Sequence, residues 1–333
     1  MAKVSETIPH RGRACIRSAS MHFSPIALGG MNLGNNWAAI EVNGTSDEQA
    51  FELLDTYLDK GSFIDRVISN TYSQSGRSEE LVGQWMVERK NRDQIILATK
   101  YSQADHKATD TSIKQRVNYL DNSTKSMRLS IAESLSRLQT AYIDIFYVHW
   151  WDYETSIEEL MKALHNLVVS GKWAIDHGKT PFSIYTGCWN VLDRSLEAEV
   201  IPMTREFDMV VVASERTEQE RNMVNALKAI ANDVGAHSLG AVAIAYLFHK
   251  YHRVIPVVGG RKVEHILSNV EAIDIRLTPD HIAQIEAVKA WQPGIPHAII
   301  GDGIKNNIAV DINAHIDRLP PRGIVPPRGV KSE

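Results

Sequence analysis

The feature that most constrains the fold is an alternation, repeated along the chain, between short apolar runs and longer helix-patterned stretches. Gln94-Ile95-Ile96-Leu97-Ala98-Thr99-Lys100 is almost continuously apolar and ends in a charge, which is how a strand covered on both faces reads. Ser62 to Asp65, Ile143 to His149, Phe182 to Tyr185, Met209 to Ala213 and Val254 to Val258 repeat the pattern. Between them lie helical signals. Ser46-Asp47-Glu48-Gln49 has the form of a capping box, followed by Ala50, Phe51, Leu53, Leu54, Tyr57 and Leu58 on one face and ended by Gly61. Ser78 is placed to cap a helix running to about Arg89, and a further helix is expected from Thr124 to Leu138. Ser156-Ile157-Glu158-Glu159 is a second capping box, and Ala241 to Leu247 ends a later helix. Repeated strand-helix units imply a parallel sheet, either closed as a barrel or open and doubly wound.

Length and charge bound the function. The 333 residues suit one α/β barrel, which typically needs about 250, better than two domains. A formal net charge of −4 gives no electrostatic reason to expect nucleic acid or an acidic membrane, so the expected partner is a small molecule or another protein. Cys15 and Cys188 are the two cysteines, without CxxC spacing, which points away from a disulfide framework and toward a reducing compartment. The polar, basic start and the lack of an 18-residue apolar run lead to the expectation of a soluble cytoplasmic protein. The division expected is an N-terminal arm over 1–20, a catalytic body over 21–290, and an extension over 291–333 that ends in the Pro-, Gly- and Arg-rich LPPRGIVPPRGVKSE.

Three of the expected strands finish in reactive side chains, Asp65, Lys100 and His149, and Tyr72 lies in the loop after the first of these. In a closed barrel the carboxyl ends of all strands meet on one face, so residues distant in sequence can form one site there. A structural ion pair is the competing explanation for Asp65 or Lys100 taken singly.

The wording of these segments resembles the aldo-keto reductase family, in particular its fungal aryl-alcohol dehydrogenase and norsolorinic acid reductase branch. The resemblance rests on IALGGMNLG, FELLDTYLDKGSFID, NRDQIILATKY, SLSRLQTAYIDIFYVHWWD, HGKTPFSIYTGCWNV and IPVVGGRKVEHILSNVEA, spread over most of residues 22–275. It implies a (β/α)8 barrel, an NADP(H) cofactor, and a catalytic tetrad carried over onto Asp65, Tyr72, Lys100 and His149. In that scheme Lys100, held by Asp65, lowers the pKa of Tyr72, the proton donor, and His149 orients the carbonyl oxygen. The same resemblance assigns Gly259, Gly260 and Arg261 to the adenosine 2′-phosphate, Asn269 to the adenine, and Gly30 and Met31, with Gly29, to the approach to the nicotinamide, beside Asp65. Without it, Gly-Gly-Arg is equally a tight turn with a surface arginine. Trp150 and Trp151 offer apolar walls to a substrate, or pack the barrel.

The chain departs from the family pattern at three places. Tyr72 follows Asp65 by seven residues where the family has five. Only Trp173-Ala174-Ile175-Asp176 joins Lys172 to His177, so about one β/α unit is shortened, and Thr186 stands where the branch commonly carries Gln. After Ala213 the chain passes through Ser214-Glu215-Arg216-Thr217 straight into a helical pattern, without the family's Gly-rich loop. The expected function is therefore an NADP(H)-dependent oxidoreductase that interconverts an aldehyde or ketone and its alcohol, with the resemblance pointing to fungal secondary metabolism and to aryl, polyketide or terpenoid substrates. One alternative is an impaired or inactive remnant of such a reductase. Another is a metal-dependent barrel hydrolase using His149 and Asp152.

Overall fold

The computed structural model describes residues 16–18, 21–23, 25–34, 44–59, 76–102, 112, 114, 119, 121–169, 182–207, 209–214, 221–251 and 253–289. Its strands are β1 (Ile16–Ser18), β2 (Met21–Phe23), β3 (Ala27–Leu28), β4 (Ala98–Tyr101), β5 (Ile145–Val148), β6 (Ile184–Cys188), β7 (Val210–Ser214) and β8 (Val254–Val258). The α-helices are α1 (Asp47–Asp59), α2 (Arg77–Arg89), α3 (Thr124–Arg137), α4 (Ile157–Val169), α5 (Val200–Glu206), α6 (Arg221–Val234), α7 (Leu239–Lys250), α8 (Val263–Glu271) and α9 (Pro279–Val288). Strand followed by helix recurs from β4 onward, as the sequence pattern requires. Among the described residues no helix is long and apolar enough to cross a membrane. The chain forms two compact units, one of Ile26–Ser183 with Pro256–Val270, the other of Met1–Pro25, Ile184–Ile255 and Glu271–Glu333.

In the first unit β4 and β5 pair in parallel, with Lys100 opposite Tyr147 and Tyr101 opposite Val148. The end of β8 pairs in parallel with β3, Val257 against Ala27. The capping box at the start of α1 forms in full: the Gln49 amide donates to Ser46 Oγ at 3.2 Å, and the Ser46 amide donates to Gln49 Oε1 at 3.1 Å.

Two details differ from the sequence reading. Ser78 does not cap α2. Gly76, in a left-handed conformation, precedes the helix, and the Ser78 hydroxyl instead donates to the Leu33 carbonyl at 2.8 Å, because a long-range acceptor is closer to hand. The apolar run also enters its strand late. Arg92–Gln94 is a 3-10 turn, held by the Arg92 guanidinium, which donates to the Ile95 and Tyr142 carbonyls and to Asp144 Oδ2 at 2.8, 2.9 and 2.8 Å. Asp144 Oδ2 also accepts the Leu97 amide at 2.8 Å, which aligns the starts of β4 and β5.

Behind β4 sits a fully buried carboxylate. Glu79 of α2 accepts from Thr99 Oγ1 at 2.8 Å, from Ser134 Oγ at 2.9 Å and from Arg137 Nε at 2.6 Å. One side chain thus joins α2, β4 and α3. The close approach of the two helices depends on Gly83: an added Cβ would lie 2.8 to 2.9 Å from the main chain of Leu138 and closer still to the Arg137 carbonyl.

In the second unit β1 and β2 form an antiparallel ladder, and β6 and β7 pair in parallel with Thr186 opposite Val212. The Val211 amide donates to the Arg253 carbonyl at 2.9 Å, which sets β7 beside the start of β8. Arg194 pairs with Glu197 at 2.7 Å and with Glu286 at 3.2 Å, and Lys250 pairs with Glu286 at 2.8 Å, tying α9 to α7 and to the turn after β6. Thr278 and His281 cap α9 reciprocally.

Gly83 yields a prediction whose sign separates two effects. Helix propensity alone makes Gly83→Ala stabilising by about 1 kcal/mol. The clash is with backbone, which cannot swing aside, and overpacking of this kind costs about 1–3 kcal/mol or more. Gly83→Ala is therefore expected to lower the urea midpoint; a raised midpoint would refute the close approach of α2 and α3.

Candidate active site

Lys100 and His149 lie at the carboxyl ends of two paired parallel strands. Lys100 is the third residue of β4, and His149 follows the last residue of β5. The His149 amide extends the ladder by donating to the Tyr101 carbonyl at 3.0 Å. Both side chains are half-buried. Nδ1 of His149 is buried and, among the described residues, has no hydrogen-bond partner. Burial and, after it, the charge of Lys100 push the imidazole down to about 4, so at neutral pH the ring is uncharged. Such a ring can donate one hydrogen bond without competing as a strong acid.

The chain beyond His149 is held by polar groups that the sequence reading did not single out. Ser102 Oγ accepts the amides of His149 and Trp150, both at 3.2 Å, and donates to the Trp150 carbonyl at 2.9 Å. Asn122 Nδ2 donates to the same carbonyl at 3.1 Å, and Asn122 Oδ1 accepts the Asp152 amide at 2.7 Å. The Asp152 carboxylate receives the amides of Asn122, Thr155 and Glu154 and the Thr155 hydroxyl. Burial acts to raise its pKa, but these hydrogen bonds outweigh it and hold the group at about 2. Asp152 is thus a loop clamp, which removes the use proposed for it as a metal ligand beside His149. Among the described residues no group of three His, Cys, Asp or Glu side chains is arranged to hold a metal ion.

Aromatic rings line this exit. The Trp150 indole stacks on His149 with centroids 4.3 Å apart and is 50% exposed. Trp151 contacts Tyr153 at 4.6 Å and donates from Nε1 to the Thr155 carbonyl at 2.8 Å. The two tryptophans therefore face outward and are not barrel packing.

The turns after β3 and β8 also meet within this unit. The Gly29 amide donates to the Val258 carbonyl at 2.8 Å, and Gly30–Asn32 forms a 3-10 turn in which Gly30 is buried and Met31 exposed. A Cβ on Gly259 would sit 3.4 Å from Asn32 Nδ2, and Asn269 Nδ2 reaches the Gly259 carbonyl at 3.4 Å. Gly260 has no room for a side chain, because a Cβ would lie 2.6 Å from that of His265. Arg261 and Lys262 are exposed just ahead of α8, whose leading amides have no acceptor within the helix itself, that of His265 donating to the Lys262 carbonyl at 3.1 Å. An exposed cation beside such amides suits a phosphate.

Of the residues expected from sequence, the structure thus brings Lys100 together with His149, and Gly29, Gly30 and Met31 together with Gly259, Gly260 and Asn269. Thr186 is exposed on β6 in the other unit. Asp65 and Tyr72 lie outside the described residues. Ser102 and Asn122 lacked any local signal, since each acts on main chain more than 25 residues away.

The aldo/keto reductase family model matches residues 25–290, most of the chain. The chain belongs to the aldo/keto reductase family. An aryl-alcohol dehydrogenase [NADP(+)] of Phanerodontia chrysosporium is 37% identical, with 96% of each protein covered. That alignment runs over 372 positions, more than the 333 residues here, so the relative carries residues without a counterpart in this chain. Norsolorinic acid reductase B of Dothistroma septosporum is 38% identical, covering 88% of this chain and 86% of its own. Among solved structures, the thermostable aldo-keto reductase Tm1743 superposes with a TM-score of 0.67 at 21% identity, over 83% of this chain and 99% of its own. An aldo/keto reductase of Klebsiella pneumoniae, solved with NADP and acetate, gives 0.60 at 21% identity, over 81% and 92%. These likenesses fix the fold class as the α/β TIM-type barrel of the family.

The depressed His149 pKa makes stability depend on pH with a defined sign. In the unfolded chain a histidine titrates at about 6.5. Between there and about 4 the unfolded state binds more protons than the folded one, so the contribution is fully present above pH 6.5 and declines as pH falls through that window. The urea midpoint is expected to drop more between pH 7 and pH 5 for the parent than for His149→Gln. Equal drops would mean that His149 titrates as it does in water.

Proposed function

We propose that this aldo/keto reductase is an NADP(H)-dependent oxidoreductase that interconverts an aldehyde or ketone and its alcohol, with aryl or polyketide-like compounds of fungal secondary metabolism as substrates, in the reducing cytoplasm. The observation that carries the reading is the placement of Lys100 and a neutral, half-buried His149 at adjacent carboxyl ends of β4 and β5, with an orphaned imidazole nitrogen. The names of the fungal relatives support the substrate class.

The roles follow from proton affinity. NADPH, when bound, supplies the hydride. The proton for the carbonyl oxygen is assigned to Tyr72, whose ordinary pKa of about 10 makes it a weak acid unless a neighbouring cation favours the phenolate. Lys100 is the cation, and Asp65 its anchor. His149, neutral at pH 7, donates a hydrogen bond that orients the carbonyl and stabilises the charge growing on its oxygen. Gly259, Gly260 and Arg261 hold the 2′-phosphate, Asn269 the adenine, and Gly30, Met31 and Asp65 the nicotinamide side; Thr186 is a cofactor contact on the family resemblance alone.

A second reading, an impaired reductase, draws on the same alignment: the chain is shorter than its relative internally, and Thr186 offers only a hydroxyl in place of an amide. Titration with NADPH and NADH, followed by quenching of tryptophan fluorescence, separates the two. NADPH is expected to bind at least about tenfold more tightly, equivalent to about 1.4 kcal/mol, and Arg261→Ala to remove most of the difference. Lys100→Met is expected to abolish turnover without changing the unfolding midpoint. Absence of binding by either nucleotide would favour the impaired form, and equal affinities would refute the role of Arg261.

A further inference from the structure

Ser102 occupies a costly backbone position. Its φ is +70°, a left-handed conformation that glycine adopts freely and other residues rarely do. It is also 2% exposed, and its hydroxyl is fully engaged, accepting two amides and donating to one carbonyl. All three bonds fall on the His149–Trp150 segment, where the ladder between β4 and β5 makes its last main-chain bond, from the His149 amide to the Tyr101 carbonyl. Rotation of the peptide joining those residues would break the bond to the Trp150 amide. The two rings that this peptide joins are the stacked imidazole and indole.

We infer that Ser102 is a positioning residue: its hydroxyl fixes the His149–Trp150 peptide and thereby sets the imidazole and the indole relative to Lys100 at the mouth of the site. The inference rests on the role proposed above for His149. Asn122 holds the Trp150 carbonyl from the other side, yet it cannot replace the acceptor that the Trp150 amide uses. A serine at a position where glycine would relax the backbone fits a requirement for the hydroxyl.

Ser102→Gly tests this, since glycine accepts the left-handed backbone and the change removes the hydroxymethyl group with its three hydrogen bonds. The parent, Ser102→Gly, His149→Gln and the double variant are compared in NADPH-dependent reduction of benzaldehyde. Ser102→Gly is expected to lower kcat by roughly tenfold to a hundredfold, the scale of a misplacement near 1 Å, with the Kd for NADPH within about twofold of the parent. In the His149→Gln background the same change is expected to alter kcat less than about twofold, because a residue acting through His149 has nothing left to position. Equal losses in both backgrounds would make Ser102 merely structural and overturn the inference.

A second measurement needs no turnover. The His149 ring, followed by NMR, is expected to titrate near 4 in the parent and to shift toward about 6.5 in Ser102→Gly as the segment loosens and admits water. An unshifted titration overturns the clamp whatever the kinetics. Unchanged turnover in His149→Gln together with a shifted titration in Ser102→Gly would refute the catalytic reading of His149 and leave the clamp standing.

Discussion

The first unit is organised around one buried charge. Glu79 is fully removed from water, and the cost of burying its carboxylate is offset by three donors from two other elements that converge on it. One of those donors, Thr99, is the residue before Lys100. Side chains of a strand alternate between faces, so the contact that anchors β4 to the helices behind it turns the next side chain to the opposite face. The position of Lys100 is thus set from behind, by α2 and α3, and the close approach of those helices depends in turn on Gly83.

Much of this architecture was legible in the sequence, wherever the cause is local. The strand Val254–Val258 was read to the residue, because its apolar run is bounded by polar and glycine positions. The Ser46/Gln49 box was legible because both partners lie within one turn. Lys100 and His149 stood out as reactive groups at the ends of apolar runs. The failures are non-local. Ser78 carries the signature of a cap, but its hydroxyl finds Leu33, 45 residues away in sequence. The start of β4 is delayed because Arg92 gathers partners from the strand beside it, and no window of sequence contains that pairing. Ser102 and Asn122 belong to the same class: a hydroxyl and an amide that serve distant main chain look, in sequence, like ordinary loop residues.

The residues proposed to react and Thr186 belong to different parts of the chain. The pairings that carry Lys100, His149 and the Gly259–Arg261 turn all fall within the unit of Ile26–Ser183 and Pro256–Val270. Thr186 belongs to the other unit, on a strand whose described partner is β7. The shortening expected from sequence, between Lys172 and His177, lies in chain order between the residues of that ladder and Thr186. The roles proposed for Lys100 and His149 and the one proposed for Thr186 thus rest on separate units.

The aromatic exit after β5 has a thermodynamic consequence of its own. Trp150, Trp151 and Tyr153 expose 50%, 39% and 82% of their surface, yet the Trp150 peptide is saturated with hydrogen bonds and the Trp151 indole is pinned to the Thr155 carbonyl. Most exposed side chains surrender rotational freedom when a ligand covers them, at about 0.5–1.5 kcal/mol each. For Trp151, whose indole is bonded to the Thr155 carbonyl, part of that entropy is given up in folding. A flat guest at the site proposed beside His149 would meet an indole at Trp151 that is already held in place.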